Sequence, residues 1–434
     1  MSIPIVTVGQ SREDLVGGLE RLHGPVTVVR RCNELPELLA ACQSGLARAA
    51  VVAEGTQALT ASLVDRLGAV GVAIVALTDN DEEAERLRKI GVASALTGVA
   101  SAELSDRIAD AVAKLGGSGR PALRSSPADT GVALACDPVE PQPDPEGQGT
   151  GKLIAVWGPA GSPGRTTVAV NIAGELSADG SNVLLIDADT YGASVAAVLG
   201  LLDESAGLAQ ACRLADQGRL DAHALRRVAA TVATASGTFR VLTGITRADR
   251  WTELRAAALA IVLERARQIA DIVVVDTGFC LEADEELSFD TMAPRRNAAT
   301  LRPLELADTV YAIGAADPVG VPRMVRALAE LEVAVPQASP TVVMNKVRSS
   351  SVGRAPERQL RDAWERYGPA FGLTAFLPHD PSAADAALLA GSLLLEAAPN
   401  SVLRHAIRGL VCAPVQQKPK SSVFSSTPRR RSNG

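Results

Sequence analysis

Residues 158–167 read Gly-Pro-Ala-Gly-Ser-Pro-Gly-Arg-Thr-Thr, a run of small residues that ends in a cation and two hydroxyls. An apolar run, 153–157, precedes this loop, and apolar residues at helical spacing follow over 168–176. A small-residue loop between a strand and a helix can close its backbone N–H groups around phosphate oxygens, and the helix N-terminus adds further unpaired N–H groups. Arg165 would place positive charge on the phosphates, and Thr166 would offer its hydroxyl to Mg²⁺. The pattern predicts a phosphate site.

The loop departs from the usual phosphate-loop pattern of Gly, four residues, Gly, Lys and Ser or Thr. Pro159 stands at the first glycine position, and Arg165 stands at the lysine position. On the loop alone, a Gly- and Pro-rich turn between a strand and a helix of an unrelated α/β protein stays open as a second interpretation.

Two further apolar runs end in aspartates. Residues 182–186 are followed by Asp187 and, two positions later, Asp189, and residues 272–275 are followed by Asp276. A spacing of two places side chains on the same face of an extended chain, and the C-terminal edge of a parallel sheet faces the nucleotide crevice. One strand-end aspartate is as often a turn residue. Three of them behind a phosphate loop predict carboxylates that hold Mg²⁺ directly or through water.

Three more apolar runs, 309–313, 341–344 and 374–377, predict further strands. Asn345 follows the second of these runs, and Pro378 follows the third. An asparagine side chain both donates and accepts hydrogen bonds, so Asn345 at a strand end suits the edge of a purine.

Composition narrows the function classes. The chain has 434 residues, enough for two or three domains, and a formal net charge of −6, which does not suggest a polyanion binder. The six cysteines form no Cys-x-x-Cys pair, and there are only four histidines, so we expect no zinc site and a reducing compartment. We find neither a signal peptide nor an apolar run of ~20 residues, which predicts a cytoplasmic protein that does not span a membrane.

The predicted fold class is α/β. Residues 1–115 alternate strands and helices and predict a flavodoxin-like domain with strands over 3–8, 26–30, 49–53, 72–77 and 93–97. Residues 116–150 are rich in Gly, Pro, Asp and Glu and predict a disordered linker. Residues 151–413 predict a larger domain with a mostly parallel sheet, and residues 414–434 predict a basic disordered tail.

The first domain resembles a response-regulator receiver domain. In that family, acidic residues end the first strand, a phosphoacceptor aspartate ends the third, and a lysine follows the fifth. Here Gln10, Glu54 and Gly98 lie near those strand ends, and no trio of carboxylates can form. We therefore interpret the domain as a degenerate receiver for interaction or dimerisation; a purely structural role fits equally well.

The motifs of the larger domain, taken as a set, resemble the MinD/ParA group of P-loop ATPases. With the receiver-like domain in front, the chain resembles the CpaE/TadZ branch, which is associated with positioning pilus-assembly and tight-adherence secretion machinery in bacteria. The motifs that carry the resemblance are Arg165-Thr166-Thr167, Asp187-Ala188-Asp189, Asp276-Thr277-Gly278, Asn345-Lys346 and Pro378-His379-Asp380.

The resemblance implies ATP and Mg²⁺ as cofactors and a role for each matched residue. Arg165 would replace the loop lysine, and Asp189 would orient the attacking water, which makes these two the implied catalytic residues. Asn345 and the backbone after Pro378 would hold adenine. The implied nucleotide-binding residues are Gly161, Ser162, Pro163, Gly164, Arg165, Thr166, Thr167, Asn345 and Pro378. The implied metal ligands are Thr166, Asp187 and Asp276.

The family closes a homodimer across ATP, and a signature lysine early in the loop reaches the partner's phosphates. Ala160 occupies that position here. Ser162 replaces a loop glycine, Pro163 removes a backbone donor, and the guanidinium of Arg165 is planar where an ammonium is compact. Because this chemistry depends on stabilising phosphate charge, we expect nucleotide binding with slow hydrolysis.

The resemblance therefore implies a slowly hydrolysing ATPase that organises pilus or secretion machinery in space, and we expect a cytoplasmic protein. Its expected partners are a second copy, bound through ATP, and pilus, secretion or cell-pole proteins. Two alternatives remain. One is a decayed P-loop scaffold that serves only protein–protein contacts. The other is a chromosome or plasmid partitioning ATPase, although no basic face predicts DNA binding.

Two surface segments each allow two interpretations. The acidic run 282–290, followed by Arg295 and Arg296, is a partner-docking segment or a solvated loop. The amphipathic stretch 402–411 is a helix that touches the inner face of the plasma membrane or the last packed helix of the domain. In both cases we favour the second interpretation.

Overall fold

A computed structural model describes residues 2–9, 15–21, 24–117, 150–201, 205–282 and 295–412. The predicted linker lies outside these ranges apart from residues 116, 117 and 150. The predicted tail lies outside them, as does the acidic run beyond Glu282.

The N-terminal part is a five-stranded sheet in the order β2-β1-β3-β4-β5, with every pair parallel. This is the strand order of flavodoxin-like folds. Strands β3 and β4 are buried along their whole length, as expected when helices cover both faces of a parallel sheet. The strands are β1 (Ile3–Val8), β2 (Val26–Cys32), β3 (Ala49–Val52), β4 (Ala73–Leu77) and β5 (Ala93–Ala95). The helices are α1 (Leu15–Arg21), α2 (Leu35–Gln43), α3 (Ala61–Ala69), α4 (Asp81–Lys89) and α5 (Ser101–Gly117).

The larger part contains an eight-stranded sheet in the order β13-β12-β11-β6-β10-β7-β9-β8. Only the edge strand β8 is antiparallel, and it pairs with β9. The predicted α/β class with a mostly parallel sheet is confirmed. The strands are β6 (Lys152–Trp157), β7 (Val183–Ala188), β8 (Ala230–Thr234), β9 (Gly237–Leu242), β10 (Ile272–Thr277), β11 (Thr309–Ala315), β12 (Pro340–Val347) and β13 (Leu373–Pro378).

Helices cover both faces of this sheet, and apolar cores form on each side of it. Helix α6 is the most enclosed: ten of its residues, 168–177, are buried. The helices are α6 (Arg165–Ala178), α7 (Val195–Val198), α8 (Gly207–Asp216), α9 (Ala222–Val228), α10 (Ala256–Ile269), α11 (Ala298–Leu306), α12 (Gly320–Ala334), α13 (Ser349–Val352), α14 (Pro356–Tyr367), α15 (Pro381–Ala390), α16 (Leu394–Ala397) and α17 (Val402–Val411).

The C-terminal helix α17 packs against α6. Leu403 and Ile407 of α17 are buried. Arg404 donates to Glu175 of α6 with an Nε–Oε1 distance of 2.6 Å, and Glu175 is only 2% exposed. A buried carboxylate needs such a partner, so Arg404 is engaged inside the protein. This arrangement fits the interpretation of 402–411 as a packed helix. None of the helices in the described ranges has both the length and the apolar character needed to cross a bilayer.

Helices α3 and α4 of the first sheet contact α8 and α10 of the second. The backbone N–H of Ser62 donates to Asp216 Oδ1 at 2.8 Å. Arg86 donates from Nη1 both to the Leu59 carbonyl at 3.1 Å and to the Gln217 carbonyl at 3.2 Å. Ile261 of α10 packs on the apolar core of the first sheet. Polar and apolar contacts therefore join the two sheets' helical layers.

Candidate functional site

The loop after β6 takes a conformation that depends on its glycines. Gly164 has φ 98° and immediately precedes α6, and Gly161 has φ 106°. A Cβ atom on Gly164 would lie 2.5 Å from Asn345 Nδ2, and one on Gly161 would lie 2.5 Å from Arg323 Nη1. Because both positions combine left-handed backbone with close neighbours, only glycine fits them without displacement. The predicted sequence of strand, loop and helix start is present.

Arg165 folds back on the loop that precedes it. Its Nη1 donates to the carbonyls of Gly158 and Pro159 at 3.0 and 3.1 Å. Its Nη2 donates to Asp189 Oδ2 at 3.2 Å. The Arg165 and Asp189 side chains are only 12% and 8% exposed. The structure therefore brings together the two residues that the sequence implied to be catalytic.

The three aspartates come from neighbouring strands. β10 lies between β6 and β7, and the parallel register pairs Asp276 with Asp187 on one side and with Val156 on the other. Both strands end at the loop edge of the sheet. Asp187 accepts hydrogen bonds from the backbone N–H groups of Val195 at 3.0 Å and Asp189 at 3.2 Å. The strand order thus explains why carboxylates far apart in the sequence meet.

Thr166 contacts the central carboxylate of this group. Its hydroxyl lies 2.6 Å from Asp276 Oδ2. The other oxygen, Asp276 Oδ1, is buried and has no hydrogen-bond partner. A buried carboxylate oxygen without a donor costs free energy unless another group, such as a cation, satisfies it.

Burial raises the pKa values of the Asp187 and Asp276 carboxyls. It raises the pKa of Asp187 above its usual range, against the hydrogen bonds from Val195 and Asp189. Burial also raises the pKa of Asp276 well above its usual range, and the nearby charge of Asp187 adds to the rise. The Thr166 hydrogen bond and the charge of Arg165 act in the opposite direction. A bound cation would favour the ionised form of both carboxyls.

The oxygen atoms of Thr166, Asp187 and Asp276 are suitable ligands for Mg²⁺. They are a hydroxyl and carboxylate oxygens, which are the ligands that hard divalent cations prefer. Across the ranges that the structure describes, no three His, Cys, Asp or Glu side chains assemble a metal cluster by themselves. Mg²⁺ at nucleotide sites commonly takes one or two carboxylates and receives its other ligands from water and phosphate. Thr166 and Asp276 could hold it, with Asp187 behind them.

Asn345 lies at the loop, and both ends of its side-chain amide are engaged there. Its Nδ2 donates to the Pro163 carbonyl at 2.8 Å, and its Oδ1 accepts from the Lys346 backbone N–H at 2.7 Å. The amide nitrogen has a second N–H and the oxygen a second lone pair, so adenine could bind Asn345 while both contacts remain. Pro378 ends β13 and pairs with Val347 of β12, so it lies beside the same strand end.

Further residues at this edge had no role assigned from the sequence. Lys346 donates from Nζ to the Ser162 carbonyl at 2.9 Å. Tyr191 donates its backbone N–H to Asp189 Oδ1 at 2.8 Å. The guanidinium carbon of Arg296 lies over the Tyr191 ring, 3.9 Å from its centroid. Arg296 also donates to the Thr190 carbonyl at 2.8 Å. Position was a sequence signal for Lys346 alone, since it directly follows Asn345 at a predicted strand end; Arg296 lies far beyond the end of the preceding predicted strand, 272–275.

Comparison with known proteins relates the loop segment to one family. Residues 149–217 match the ParA family model, which is described as NUBPL iron-transfer P-loop NTPase. This segment is similar to ParA-type P-loop NTPases. No curated protein matches the chain.

Solved structures match about 60% of the chain. A ParA family ATPase from Chlorobium tepidum TLS matches with a TM-score of 0.50 at 17% identity, over 60% of this chain and 98% of the other. The cell division ATPase MinD of Pyrococcus furiosus matches with a TM-score of 0.45 at 20% identity, over 60% and 97%. The septum site-determining protein MinD of Pyrococcus horikoshii OT3, complexed with Mg-ADP, gives 0.44 at 18%, over 60% and 94%. At 17% identity the first comparison shows the fold alone.

Proposed function

We propose that the protein binds Mg-ATP between the loop 158–167 and the aspartates at the ends of β7 and β10, and that it hydrolyses ATP slowly. The observation that carries this proposal is the contact of Thr166 with Asp276. The hydroxyl is 2.6 Å from Oδ2, and the remaining oxygen, Oδ1, is buried without a partner. A protein commonly contributes a hydroxyl and a carboxylate, beside a phosphate-binding loop, to a magnesium–nucleotide site.

Each group of the site then has a role. Backbone N–H groups of the loop, and those at the start of α6, bind phosphate oxygens. Thr166 and Asp276 would hold Mg²⁺, and the cation would neutralise phosphate charge. Arg165 turns from the Gly158 and Pro159 carbonyls toward the phosphates. Asp189 orients the attacking water.

Slow hydrolysis follows from how Asp189 is held. Oδ2 accepts from Arg165, and Oδ1 accepts from the backbone N–H groups of Tyr191 and Gly192 at 2.8 and 3.1 Å. Three hydrogen bonds therefore hold the Asp189 carboxylate, and the pair with Arg165 restricts how Oδ2 can approach a water. Positioning of the nucleophile is a large part of phosphoryl-transfer catalysis, so this restriction lowers the rate.

For the cellular role we propose a nucleotide-dependent homodimer that positions pilus or secretion machinery. The support is the resemblance to the CpaE/TadZ branch, together with a flavodoxin-like sheet in front of a P-loop NTPase fold. Two other functions compete with this role. A decayed scaffold is favoured by Ala160 and Arg165 and opposed by the intact contact between Thr166 and Asp276. A partitioning ATPase would bind nonspecific DNA in a salt-sensitive, ATP-dependent way.

The first experiment is calorimetric titration of the full chain with Mg-ATP and Mg-ADP, followed by phosphate release from the same sample. Saturable binding with slow release is expected, and Arg165→Ala should abolish the binding. Arg247→Ala is a matched control because Arg247 is 73% exposed and pairs only with nearby Asp249. If the unchanged protein does not bind nucleotide, the decayed scaffold becomes the favoured function. Unchanged affinity in Arg165→Ala would contradict the site assignment.

A further inference from the structure

The two oxygens of the Asp189 carboxylate are held in different ways. Oδ1 accepts hydrogen bonds from two successive backbone N–H groups, those of Tyr191 at 2.8 Å and Gly192 at 3.1 Å. Oδ2 accepts from the side chain of Arg165 at 3.2 Å. Backbone groups of a turn keep their direction as long as the turn keeps its shape, whereas a long arginine side chain can change rotamer. Oδ1 is therefore the anchored oxygen of this carboxylate.

The side chain of Tyr191 is held by contacts with two other elements. Its hydroxyl donates to Asn297 Oδ1 at 2.8 Å, and its ring centroid lies 4.8 Å from that of Phe279. The guanidinium carbon of Arg296 lies 3.9 Å from the same centroid. Phe279 follows the end of β10, and Asn297 immediately precedes α11. These contacts fix the segment after β7, and with it the direction of the Tyr191 backbone N–H.

Asn297 is a rigid acceptor for the Tyr191 hydroxyl. It is only 2% exposed, and its Nδ2 donates to the Glu282 carbonyl at 2.8 Å. A buried amide with both ends engaged keeps its orientation, because turning it would leave a donor and an acceptor unsatisfied. A chain of hydrogen bonds therefore runs from the end of the β10 segment through Asn297 and Tyr191 to Asp189.

We propose that Tyr191 is a positioning residue for ATP hydrolysis: its hydrogen bond to Asn297 fixes the backbone N–H that anchors Asp189 Oδ1, so that Oδ2 is the oxygen that orients the attacking water. Oδ2 becomes available when Arg165 turns to the phosphates, and the anchored Oδ1 then keeps the carboxylate from rotating. This inference rests on the proposed function. The competing explanation is that Tyr191 only stabilises the fold.

The test compares Tyr191→Phe with the unchanged protein in ATP titrations and in phosphate release at saturating Mg-ATP. Phenylalanine keeps the ring, which contacts Phe279 and Arg296, and removes the hydroxyl. Phosphate release should fall about fivefold, because an effect of this size is typical of one neutral hydrogen bond. ATP affinity should stay within about twofold, because Tyr191 positions a group that acts on the water and not on the bound nucleotide.

Tyr311→Phe is the matched control. The Tyr311 hydroxyl also donates a hydrogen bond inside the protein, to the Leu410 carbonyl at 2.8 Å, and Tyr311 is only 7% exposed. The control removes an equivalent hydroxyl from β11, a strand to which we assign no residue of the site. Both variants should unfold at a lower temperature, but only Tyr191→Phe should slow phosphate release. Equal losses of rate would mean that lower stability slows hydrolysis, which would overturn the proposal.

A double substitution tests the path through Asn297. Asn297→Ala removes the acceptor of the Tyr191 hydroxyl, so it should slow phosphate release at least as much as Tyr191→Phe. Adding Tyr191→Phe to Asn297→Ala should cause little further loss, since the hydrogen bond is already absent. Thermal unfolding identifies variants that fail to fold. If Asn297→Ala is one of them, Asn297→Leu, whose side chain has a similar branched shape, takes its place.

Three results would contradict the positioning role. One is a rate of phosphate release in Tyr191→Phe within about twofold of the unchanged protein. Another is a pair of losses that multiply in the double variant, because the two residues would then act independently. The third is a fall in ATP affinity as large as the fall in rate, which would make Tyr191 a binding residue. If the unchanged protein binds no nucleotide, or binds it without releasing phosphate, the proposed function itself is wrong.

Discussion

Arg165 and Asp189 are bound to each other, with Arg165 Nη2 3.2 Å from Asp189 Oδ2. Arg165 was predicted to contact phosphate, and Asp189 was predicted to orient water. In this structure the Arg165 guanidinium is therefore directed to Asp189 and not to a phosphate, and the Asp189 carboxylate is held by Arg165. A buried pair of this kind is costly to break by removing one partner, because the remaining charge stays uncompensated. The proposed binding of ATP would offer Arg165 phosphate oxygens as new partners and so loosen its pair with Asp189.

Asp189→Asn tests this coupling. The amide cannot act as the carboxylate does on the attacking water, so phosphate release should fall about 100-fold or more. ATP affinity should stay equal or increase, because Arg165 is no longer held by a full negative charge. Affinity and phosphate release are measured on the same sample. Asp249→Asn, at an exposed surface pair, is the control, and an unchanged rate of phosphate release in Asp189→Asn would remove Asp189 from the reaction.

Thr166→Ala should weaken the dependence of ATP affinity on Mg²⁺, because Asp276 alone of the two ligands would remain. The substitution deletes the hydroxyl that donates to Asp276 Oδ2 at 2.6 Å. Oδ2 then loses this donor, and Oδ1 already has no hydrogen-bond partner. The nucleotide-free protein should also lose about 1–3 kcal/mol of unfolding free energy. Thr166→Ser keeps the hydroxyl and should keep both properties. Titrations with and without Mg²⁺ measure the first effect, and denaturant unfolding measures the second. A magnesium effect of equal size in Thr166→Ala would place the cation elsewhere.

The strands of the site were predictable because buried parallel strands are almost continuous apolar runs. β6, β7 and β10 to β13 each contain a run predicted from the sequence. The hairpin of β8 and β9 was not predicted, because β8 is half-exposed along its length and short polar residues interrupt its apolar ones. An alternating edge strand of five residues does not stand out from a loop in sequence.

The site was predictable as a meeting of strand ends, but not in its internal contacts. That Asp187 and Asp276 come together follows from strand order alone. The contact of Lys346 with Ser162 depends on positive φ at two non-glycine residues, for which the sequence carries no signal. The pairing of Arg165 with Asp189 depends on which way a long side chain turns, and tertiary packing decides this.

The raised pKa values of Asp187 and Asp276 predict how stability depends on pH. A carboxyl whose pKa is higher in the folded state than in the unfolded state binds more protons when folded. Its contribution to stability is therefore complete below the unfolded pKa and is lost as pH rises through the folded pKa. Without nucleotide, the unfolding temperature should fall as pH rises from the ordinary carboxyl range toward neutrality.

Asp187→Asn should reduce this fall, since asparagine does not titrate. Asp385→Asn, at an exposed position of α15, should leave it unchanged. Mg-ATP affinity should rise over the same pH range, because the cation competes with protons for these carboxyls. Thermal unfolding and calorimetry between about pH 5 and about pH 8 measure both effects. An unfolding temperature equally sensitive to pH in Asp187→Asn would assign the dependence to other groups.

The contact between the two sheets' helices should contribute to stability through Arg86. This side chain is 12% exposed and donates to the Leu59 and Thr56 carbonyls within the first part and to the Gln217 carbonyl of the second. Arg86→Ala leaves these carbonyls without their donor, so the unfolding free energy should fall by about 1–3 kcal/mol.

Arg88→Ala gives the matched control on the same helix. Arg88 is 75% exposed and pairs with Glu85 one turn away, so its removal should change the unfolding free energy by less than about 0.5 kcal/mol. Denaturant unfolding of the full chain, followed by a probe in each part, measures both variants. If the parts unfold together in the unchanged protein, Arg86→Ala should separate their transitions, because Arg86 bonds to both. Equal effects of the two substitutions would mean that the interface depends on its apolar contacts, such as those of Ile261, and not on Arg86.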